Sequence, residues 1–316
     1  MMFRTRCNIL FVIALLSLTV FCDAAQERVI RFAHFTDIHM TPDNNAPQRF
    51  ANALKCMQAL DDKPQLLITG GDNVMDSFSA TDKDVSVLFN LLKDVMAKNC
   101  NIPVKYCIGN HDLWGWDKKG SGTTGNEEFW GEKRPVHEFN MPGRYYSFDV
   151  KNWHFIILDS LMHDNDSYMT KLDDEQFKWL ADELEKNKNK YVVIISHAPI
   201  LSAAAFFDDA ESEKSGDWSI YKGYMHMDAR KLKDLFYKYP GVKLCISGHL
   251  HLLDTVTYNG VTYICDGSIC GAWWGGSYQE TPEGFGVFDL YRDGTFKHKY
   301  INYNGISQVG KVTVDK

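Results

Sequence analysis

The chain has 316 residues, enough for one large domain or two small ones. Apolar residues make up 45% of the chain and charged residues 24%, which is the usual composition of a globular protein. The formal net charge is −7 and no long basic run occurs, so the sequence argues against a nucleic-acid partner.

The first residues have the pattern of an export signal. Two arginines precede an apolar segment over residues 9–21, and small residues follow at the spacing of a cleavage site. We therefore predict a signal peptide over residues 1–24, and export to a periplasm or to the exterior. The apolar segment falls short of the ~20 residues of a membrane span, and no second segment reaches that length, so we expect no integral span after cleavage. An uncleaved anchor, or a lipid tether on Cys22, is the alternative.

Six cysteines follow the predicted cleavage site. They are Cys56, Cys100, Cys107, Cys245, Cys265 and Cys270. An exported protein permits disulfides, but three of these cysteines lie inside apolar, strand-like runs, where free thiols behave as small hydrophobic groups. We therefore favour buried thiols over a disulfide framework.

Strand and helix patterns alternate through the first third of the chain. Short apolar runs predict strands over 29–35, 65–69 and 104–108, and apolar residues at helical spacing predict helices over 48–60 and 82–97. This β-α-β-α-β order is typical of a largely parallel sheet that is covered on both faces.

Residues 113–141 interrupt the alternation. This stretch is rich in glycine and charged residues, yet it also carries several aromatic residues, which argue against disorder. Long loops inside compact domains are usually functional. We interpret it as an aromatic insertion beside a site, within a single domain over residues 25–316.

The second half of the chain continues the mixed pattern. The predicted elements are a strand pair over 145–150 and 153–159, a helix over 173–186, a strand over 191–195, a helix over 228–237, a strand over 242–247, and short antiparallel strands from 253 to 300.

Five strand-like runs each end in residues that bind metals. The clusters are Asp37-Ile38-His39, Gly71-Asp72-Asn73, Gly109-Asn110-His111-Asp112, Ser196-His197 and Gly248-His249-Leu250-His251. Each cluster alone has an ordinary explanation as a turn or as a satisfied polar residue. Open α/β sheets, however, bind ligands at the carboxyl ends of their strands, and five coincidences in one chain are improbable.

The candidate ligands comprise two acids, one amide and four imidazoles. They are Asp37, His39, Asp72, Asn110, His197, His249 and His251. Carboxylate oxygen and imidazole nitrogen suit divalent Mn, Fe, Zn or Ni. Seven ligands are too many for one tetrahedral ion, and they suit two ions if one carboxylate bridges them.

In this order the clusters resemble the calcineurin-like metallophosphoesterase family, over roughly residues 31–251. The segment Leu158-Asp159-Ser160, with Glu175-Gln176 and Trp179-Leu180 after it, resembles the exported, class III cyclic-nucleotide-phosphodiesterase-like branch. The resemblance implies an α/β fold, a four-layer α-β-β-α sandwich with two mixed sheets face to face and helices outside. It also implies two divalent metal ions and metal-activated hydroxide attack on the phosphorus of a small phosphorylated substrate.

The resemblance further implies a role for each residue. Asp37, His39 and His251 would hold one metal, Asn110, His197 and His249 the other, and Asp72 would bridge them. His111 would face the phosphate, stabilising charge or protonating the leaving oxygen, and Asp112 would orient His111. Purple acid phosphatases resemble this family but place a tyrosine ligand where this chain has Met75, which favours a pair of divalent ions.

Four tryptophans close to these motifs are candidate substrate-binding residues. They are Trp114, Trp116, Trp273 and Trp274. They could stack on a base, sugar or lipid part of the substrate, or they could simply pack in the core beneath long loops.

Three functions fit the sequence. The leading one is hydrolysis of a phosphodiester or a phosphomonoester. The second is pyrophosphate cleavage in a nucleotide-sugar or lipid-linked diphosphate. The third is a binding protein that keeps the metals without turnover, against which the intact His111 argues. No sequence feature specifies the oligomeric state.

Overall fold

The computed structural model describes residues 26–207 and 216–305 fully, and the backbone of residues 308–314. The predicted signal peptide over residues 1–24 therefore lies outside the described residues. Among the described helices, none combines the length and apolarity that a membrane crossing requires.

The described chain alternates between strands and helices. The strands are β1 (Arg28–Phe35), β2 (Leu66–Thr69), β3 (Val104–Lys105), β4 (Tyr146–Val150), β5 (Trp153–Ile157), β6 (Leu161–Asp164), β7 (Ser167–Thr170), β8 (Tyr191–Ile195), β9 (Val242–Ser247), β10 (Asp254–Tyr258), β11 (Val261–Cys265), β12 (Gly284–Tyr291), β13 (Phe296–Asn302) and β14 (Gln308–Val314). The helices are α1 (Ala46–Gln58), α2 (Asp82–Asn99), α3 (Lys118–Ser121), α4 (Lys133–Glu138), α5 (Asp174–Lys186) and α6 (Ala229–Phe236).

The strands form two mixed sheets of six strands each. The first has the order β14-β13-β12-β1-β2-β3, in which β1, β2 and β3 are parallel and the remaining pairs antiparallel. The second has the order β10-β11-β9-β8-β5-β4, with a parallel centre and an antiparallel strand at each edge. Strands β6 and β7 form a separate hairpin. The predicted α/β fold with two mixed sheets is confirmed.

Aromatic packing joins the two sheets face to face. Phe32 of β1 stacks on Phe288 of β12, with ring centroids 4.9 Å apart, and meets Phe155 of the second sheet edge-on at 5.5 Å. Helices α1 and α2 bury their apolar sides on the first sheet, through Phe50 and Phe89. Helices α5 and α6 do the same on the second sheet. The layers therefore run helix, sheet, sheet, helix, as the resemblance implied.

Three parts of the predicted secondary structure need correction. The third strand is short, Val104–Lys105 instead of 104–108, because the chain beyond it turns into the site. Strand β11 pairs in parallel with β9, whereas we expected only antiparallel strands after residue 253. The hairpin of β6 and β7 was not predicted at all, because its residues alternate in polarity too briefly to stand out from a loop.

Candidate metal centre

The structure brings all seven predicted ligands together at the carboxyl ends of strands from both sheets. Two follow β1, one follows β2, one follows the run after β3, one follows β8 and two follow β9. Six of the seven side chains are buried, and His249 is partly exposed. The ligands are Asp37, His39, Asp72, Asn110, His197, His249 and His251. The clusters are far apart in sequence, so the parallel strands that end at one edge are what unites them.

Glycines allow the ligand loops to approach one another. A Cβ on Gly109 would lie 2.1 Å from the backbone nitrogen of Asp72, and one on Gly248 would lie 2.3 Å from Oδ2 of Asp37. No other residue fits at such distances. Backbone bonds then tie the first two loops together, since the Asp37 N–H donates to the Gly71 carbonyl at 3.0 Å.

The first group of ligands is Asp37, His39 and His251. The Nε2 atoms of the two histidines lie 3.2 Å apart. Oδ1 of Asp37 lies 3.4 Å from Nε2 of His251 and has no hydrogen-bond partner among the described residues. Its other oxygen accepts from the Thr36 hydroxyl at 2.6 Å and from the His249 N–H at 2.9 Å. One carboxylate oxygen and two imidazole nitrogens therefore converge on one point.

The second group is Asn110, His197 and His249. Nε2 of His197 lies 3.2 Å from Oδ1 of Asn110 and 3.1 Å from Nδ1 of His249. Asp72 lies between the two groups. Its Oδ2 is 3.6 Å from Nε2 of His39 and 3.2 Å from Nε2 of His197. A single oxygen is thus placed to serve both groups, which is the geometry that a bridging ligand needs.

Backbone carbonyls orient three of the histidines. The Nδ1 atoms of His197 and His251 lie 2.8 Å from the Gly70 carbonyl and 2.6 Å from the Gly271 carbonyl. Nε2 of His249 lies 2.6 Å from the carbonyl of Gly223. A carbonyl only accepts, so each ring carries its proton on that nitrogen and turns its other nitrogen towards the cluster.

The protonation of the candidate ligands bears on whether they can bind cations. Burial disfavours an ionised Asp72, but the His197 and His111 rings outweigh burial and hold the pKa of Asp72 well below its usual range. Burial lowers the pKa of His39 to about 3, with the neighbouring His111 adding to the effect. Burial and the adjacent His197 lower the pKa of His249 to about 4. Burial has the same sign at the other two histidines, but the Asp72 charge outweighs it and raises the pKa of His197 to about 9, and the Asp37 charge raises that of His251 well above its usual value. Divalent Mn, Fe, Zn or Ni take ionised carboxylates and neutral imidazoles, so a bound cation would displace these two protons.

His111 stands beside the first group. Its ring is 4.7 Å from that of His39, and its Nδ1 donates to the Met75 carbonyl at 2.6 Å, which leaves Nε2 for the cleft. Its backbone N–H donates to Oδ1 of Asp72 at 2.8 Å. The expectation that Asp112 orients His111 is wrong.

Asp112 has a structural task instead. Its carboxylate accepts from the Gly109 N–H and from both the backbone and side-chain nitrogens of Asn73, each at 2.9 Å. Asp112 therefore connects the Asp72 loop to the His111 loop. The Met75 carbonyl, and not Asp112, orients the His111 ring. Burial, reinforced by the nearby Asp72 charge, raises the pKa of Asp112 to about 7.

The sequence profile of calcineurin-like phosphoesterases matches residues 30–253. This chain belongs to the calcineurin-like phosphoesterase family. It is similar to a 3',5'-cyclic-nucleotide phosphodiesterase of Nostoc sp., with 25% identity over 283 residues that cover 85% of this chain and 91% of the relative. It is also similar to the serine/threonine-protein phosphatase CPPED1 of Homo sapiens, with 23% identity, covering 82% and 74%.

A solved structure supports the same fold. The crystal structure of a dimetal phosphatase from Danio rerio matches with a TM-score of 0.62 at 12% identity, covering 92% of this chain and 100% of that one. The predicted family, and the prediction of a metal-dependent phosphate-ester hydrolase, are confirmed. As a calcineurin-like phosphoesterase, the chain belongs to a dimetal family, and its converging groups are candidate ligands.

Three of the four tryptophans predicted to bind substrate do not line the metallophosphoesterase cleft. Trp114 and Trp116 are 6% and 3% exposed and pack in the hydrophobic core, so they do not reach the cleft. Trp274 is also buried, and its Nε1 donates to the His39 carbonyl at 2.9 Å. Only Trp273 of the four lines the cleft, where it is 43% exposed. The three buried tryptophans pack in the hydrophobic core, which was the alternative interpretation.

Three tyrosines, two of which sequence reasoning missed, line the cleft wall. The cleft has a volume of about 250 Å³, and Tyr168, Tyr224 and Tyr278 line it together with the histidines and Trp273. Tyr168 and Tyr278 lie on short loops and hairpins with no ligand pattern, so no sequence signal marked them.

Proposed function

We propose that this metallophosphoesterase holds two divalent cations on its seven converging ligands and hydrolyses a phosphodiester that bears a planar group. One metal would bind Asp37, His39 and His251, the other Asn110, His197 and His249, with Asp72 shared. Bound cations of this kind activate water and neutralise phosphoryl charge.

The observation that carries the proposal is the charge of the cleft wall. Among the described lining residues there is no lysine or arginine. A phosphodiester carries one negative charge at neutral pH, whereas a monoester carries between one and two. A cleft that offers the metal pair and no further fixed cation therefore suits the less charged ester.

Trp273 supports a planar substituent. Its indole lies 4.7 Å from the ring of His251 and 6.1 Å from that of His39, and Tyr278 meets it edge-on at 5.7 Å. A half-exposed indole beside the reacting centre can stack on a base or an aryl ring, and such stacking is worth about 1–3 kcal/mol for a base.

The test compares two chromogenic esters on the metal-loaded chain. We expect kcat/KM for bis(4-nitrophenyl) phosphate to exceed that for 4-nitrophenyl phosphate by about tenfold, a difference of ~1.4 kcal/mol in transition-state stabilisation. The Asp72→Ala variant is the control, because it removes the shared ligand. A preference for the monoester would contradict the diester proposal while leaving the family assignment intact.

We further propose that the chain is exported. The arginines before the apolar segment 9–21 and the small residues after it support this, and Cys22 offers an alternative lipid tether. All six cysteines beyond the signal are free thiols, and four of them are buried. N-terminal sequencing of protein from the periplasm or medium should begin near residue 25, and an uncleaved chain in the cytoplasm would contradict export.

A further inference from the structure

The β6–β7 hairpin carries Tyr168 to the edge of the metal cluster. The phenol ring stands edge-on to His249, with centroids 6.3 Å apart and planes at 74°. Tyr168 lines the cleft together with Asp72 and His249. The ring therefore borders the second ligand group.

Packing holds this ring in place. Phe78 meets Tyr168 edge-on at 6.1 Å, and Trp116 meets Phe78 in the same way at 6.1 Å. Trp116 and Trp130 also lie against His163, with each ring pair 5.1 Å apart. Since His163 is the cross-strand partner of Tyr168, the aromatic insertion supports the hairpin and, through it, the cleft.

Hydrogen bonds tie the hairpin to the loop that orients His249. The Thr170 N–H and hydroxyl both donate to the Lys222 carbonyl at 2.9 Å. The next residue along, Gly223, accepts from Nε2 of His249. Tyr168 and His249 are thus fixed with respect to one another by one connected set of backbone contacts.

The Tyr168 hydroxyl has no hydrogen-bond partner within the described part of the chain. No hydrogen bond joins it to the nearby Asp72, whose Oδ1 accepts from the His111 N–H and whose Oδ2 faces the ligand histidines. A tyrosine hydroxyl is a donor that stays protonated at neutral pH. Because Tyr168 lines the cleft, its hydroxyl is available to donate to a bound ligand.

We propose that Tyr168 is a catalytic residue whose hydroxyl donates a hydrogen bond to a non-bridging phosphoryl oxygen of the substrate. The proposal rests on the proposed function, because it requires the phosphoryl group to lie between the two ligand groups. His111 stands beside His39 and Tyr168 beside His249, so a phosphoryl group between them would meet one protein donor on each side. The interaction strengthens as negative charge grows on that oxygen.

The test is Tyr168→Phe, which removes one hydroxyl and keeps the ring. Its matched control is Tyr237→Phe, the same change at a side chain that is 71% exposed at the end of α6 and outside the cleft. Metal content, melting temperature, kcat on two diesters and the Kd of inorganic phosphate by calorimetry are measured. One diester has a nitrophenolate leaving group. The other is a cyclic diester whose leaving group is an alkoxide.

We expect Tyr168→Phe to keep both metals and the wild-type melting temperature. Its kcat should fall by about 10²-fold on both diesters, the usual loss for one removed oxyanion donor. Phosphate should bind about tenfold more weakly, as for the loss of one hydrogen bond to a charged group. The Tyr237→Phe control should match wild type throughout.

Three results would overturn the assignment. They are unchanged kcat and phosphate affinity, a loss confined to the alkyl leaving group, and a loss of metal that accounts for the lower rate. If the wild-type chain turns over neither diester, the proposed function fails, and the phosphate titration still decides whether the Tyr168 hydroxyl contacts a phosphoryl oxygen.

Discussion

His111→Asn separates the chemistry from the metal ligands. The Nδ1 atom of His111 donates to the Met75 carbonyl, so the ring is fixed and only Nε2 can face substrate. The change leaves the backbone N–H that donates to Asp72, and should therefore leave both metal sites filled. A positioned acid or charge stabiliser contributes ~10²–10⁴-fold, which corresponds to about 2.7–5.4 kcal/mol of transition-state stabilisation.

The assay measures kcat and KM of the metal-loaded variant on esters with different leaving groups. We expect KM close to wild type, because the lost interaction forms as charge develops. The loss of kcat should be smaller for nitrophenolate, which leaves without a proton, than for an alkoxide. Equal losses would favour charge stabilisation over proton donation, and an unchanged rate on both esters would refute any role of His111 in the reaction.

The remaining predictions concern metal, packing and pH. Asp72→Ala should lose both metals in elemental analysis, and two ions per chain would contradict the shared-ligand assignment. Trp116→Ala should lower the unfolding free energy by about 3–5 kcal/mol, because it empties a core site; an unchanged melting temperature would refute the core placement. Trp273→Ala should raise KM for aryl diesters with little change in kcat, whereas an effect on kcat alone would exclude stacking. The two histidines beside the buried Asp266 outweigh burial and hold its pKa below the usual range. Ionised Asp266 therefore adds stability above about pH 4 that is lost progressively as the pH falls below that value, so Asp266→Asn should destabilise at pH 7 by about 3–5 kcal/mol and by a decreasing amount as the pH falls below 4. An effect that stays constant on acidification would contradict this.

The convergence of the candidate ligands could be predicted from the sequence, because the residue types and the strand ends are both visible in it. The run Val104–Ile108 before Asn110 is apolar, and glycine marks the turn that follows. The strand itself proved shorter, yet Asn110 still arrives at the site, because a ligand position depends on where the strand ends and little on how long it is.

The cleft wall could not be predicted in the same way. Trp116 and Trp273 look alike in sequence, since both are loop aromatics near a motif. Tertiary packing alone separates them, by burying Trp116 against Phe78 and leaving Trp273 beside His251. Asp112 shows the same limit, because its neighbour in sequence is His111 while its partners in space are Gly109 and Asn73.

The backbone at the ligands links metal binding to stability. Five candidate ligands adopt left-handed backbone conformations, with φ between 45° and 72°. Residues other than glycine rarely take these conformations. The five are Asp37, His39, Asp72, His249 and His251. Each such residue costs on the order of 1–3 kcal/mol, and persists only where the surroundings fix it. The backbone bonds between the Asp37 and Asp72 loops provide part of that constraint. Two bound cations would provide the rest, because they favour the one arrangement in which all these side chains point inward. The ligand loops therefore strain the backbone at the site, and bound cations would offset part of that strain.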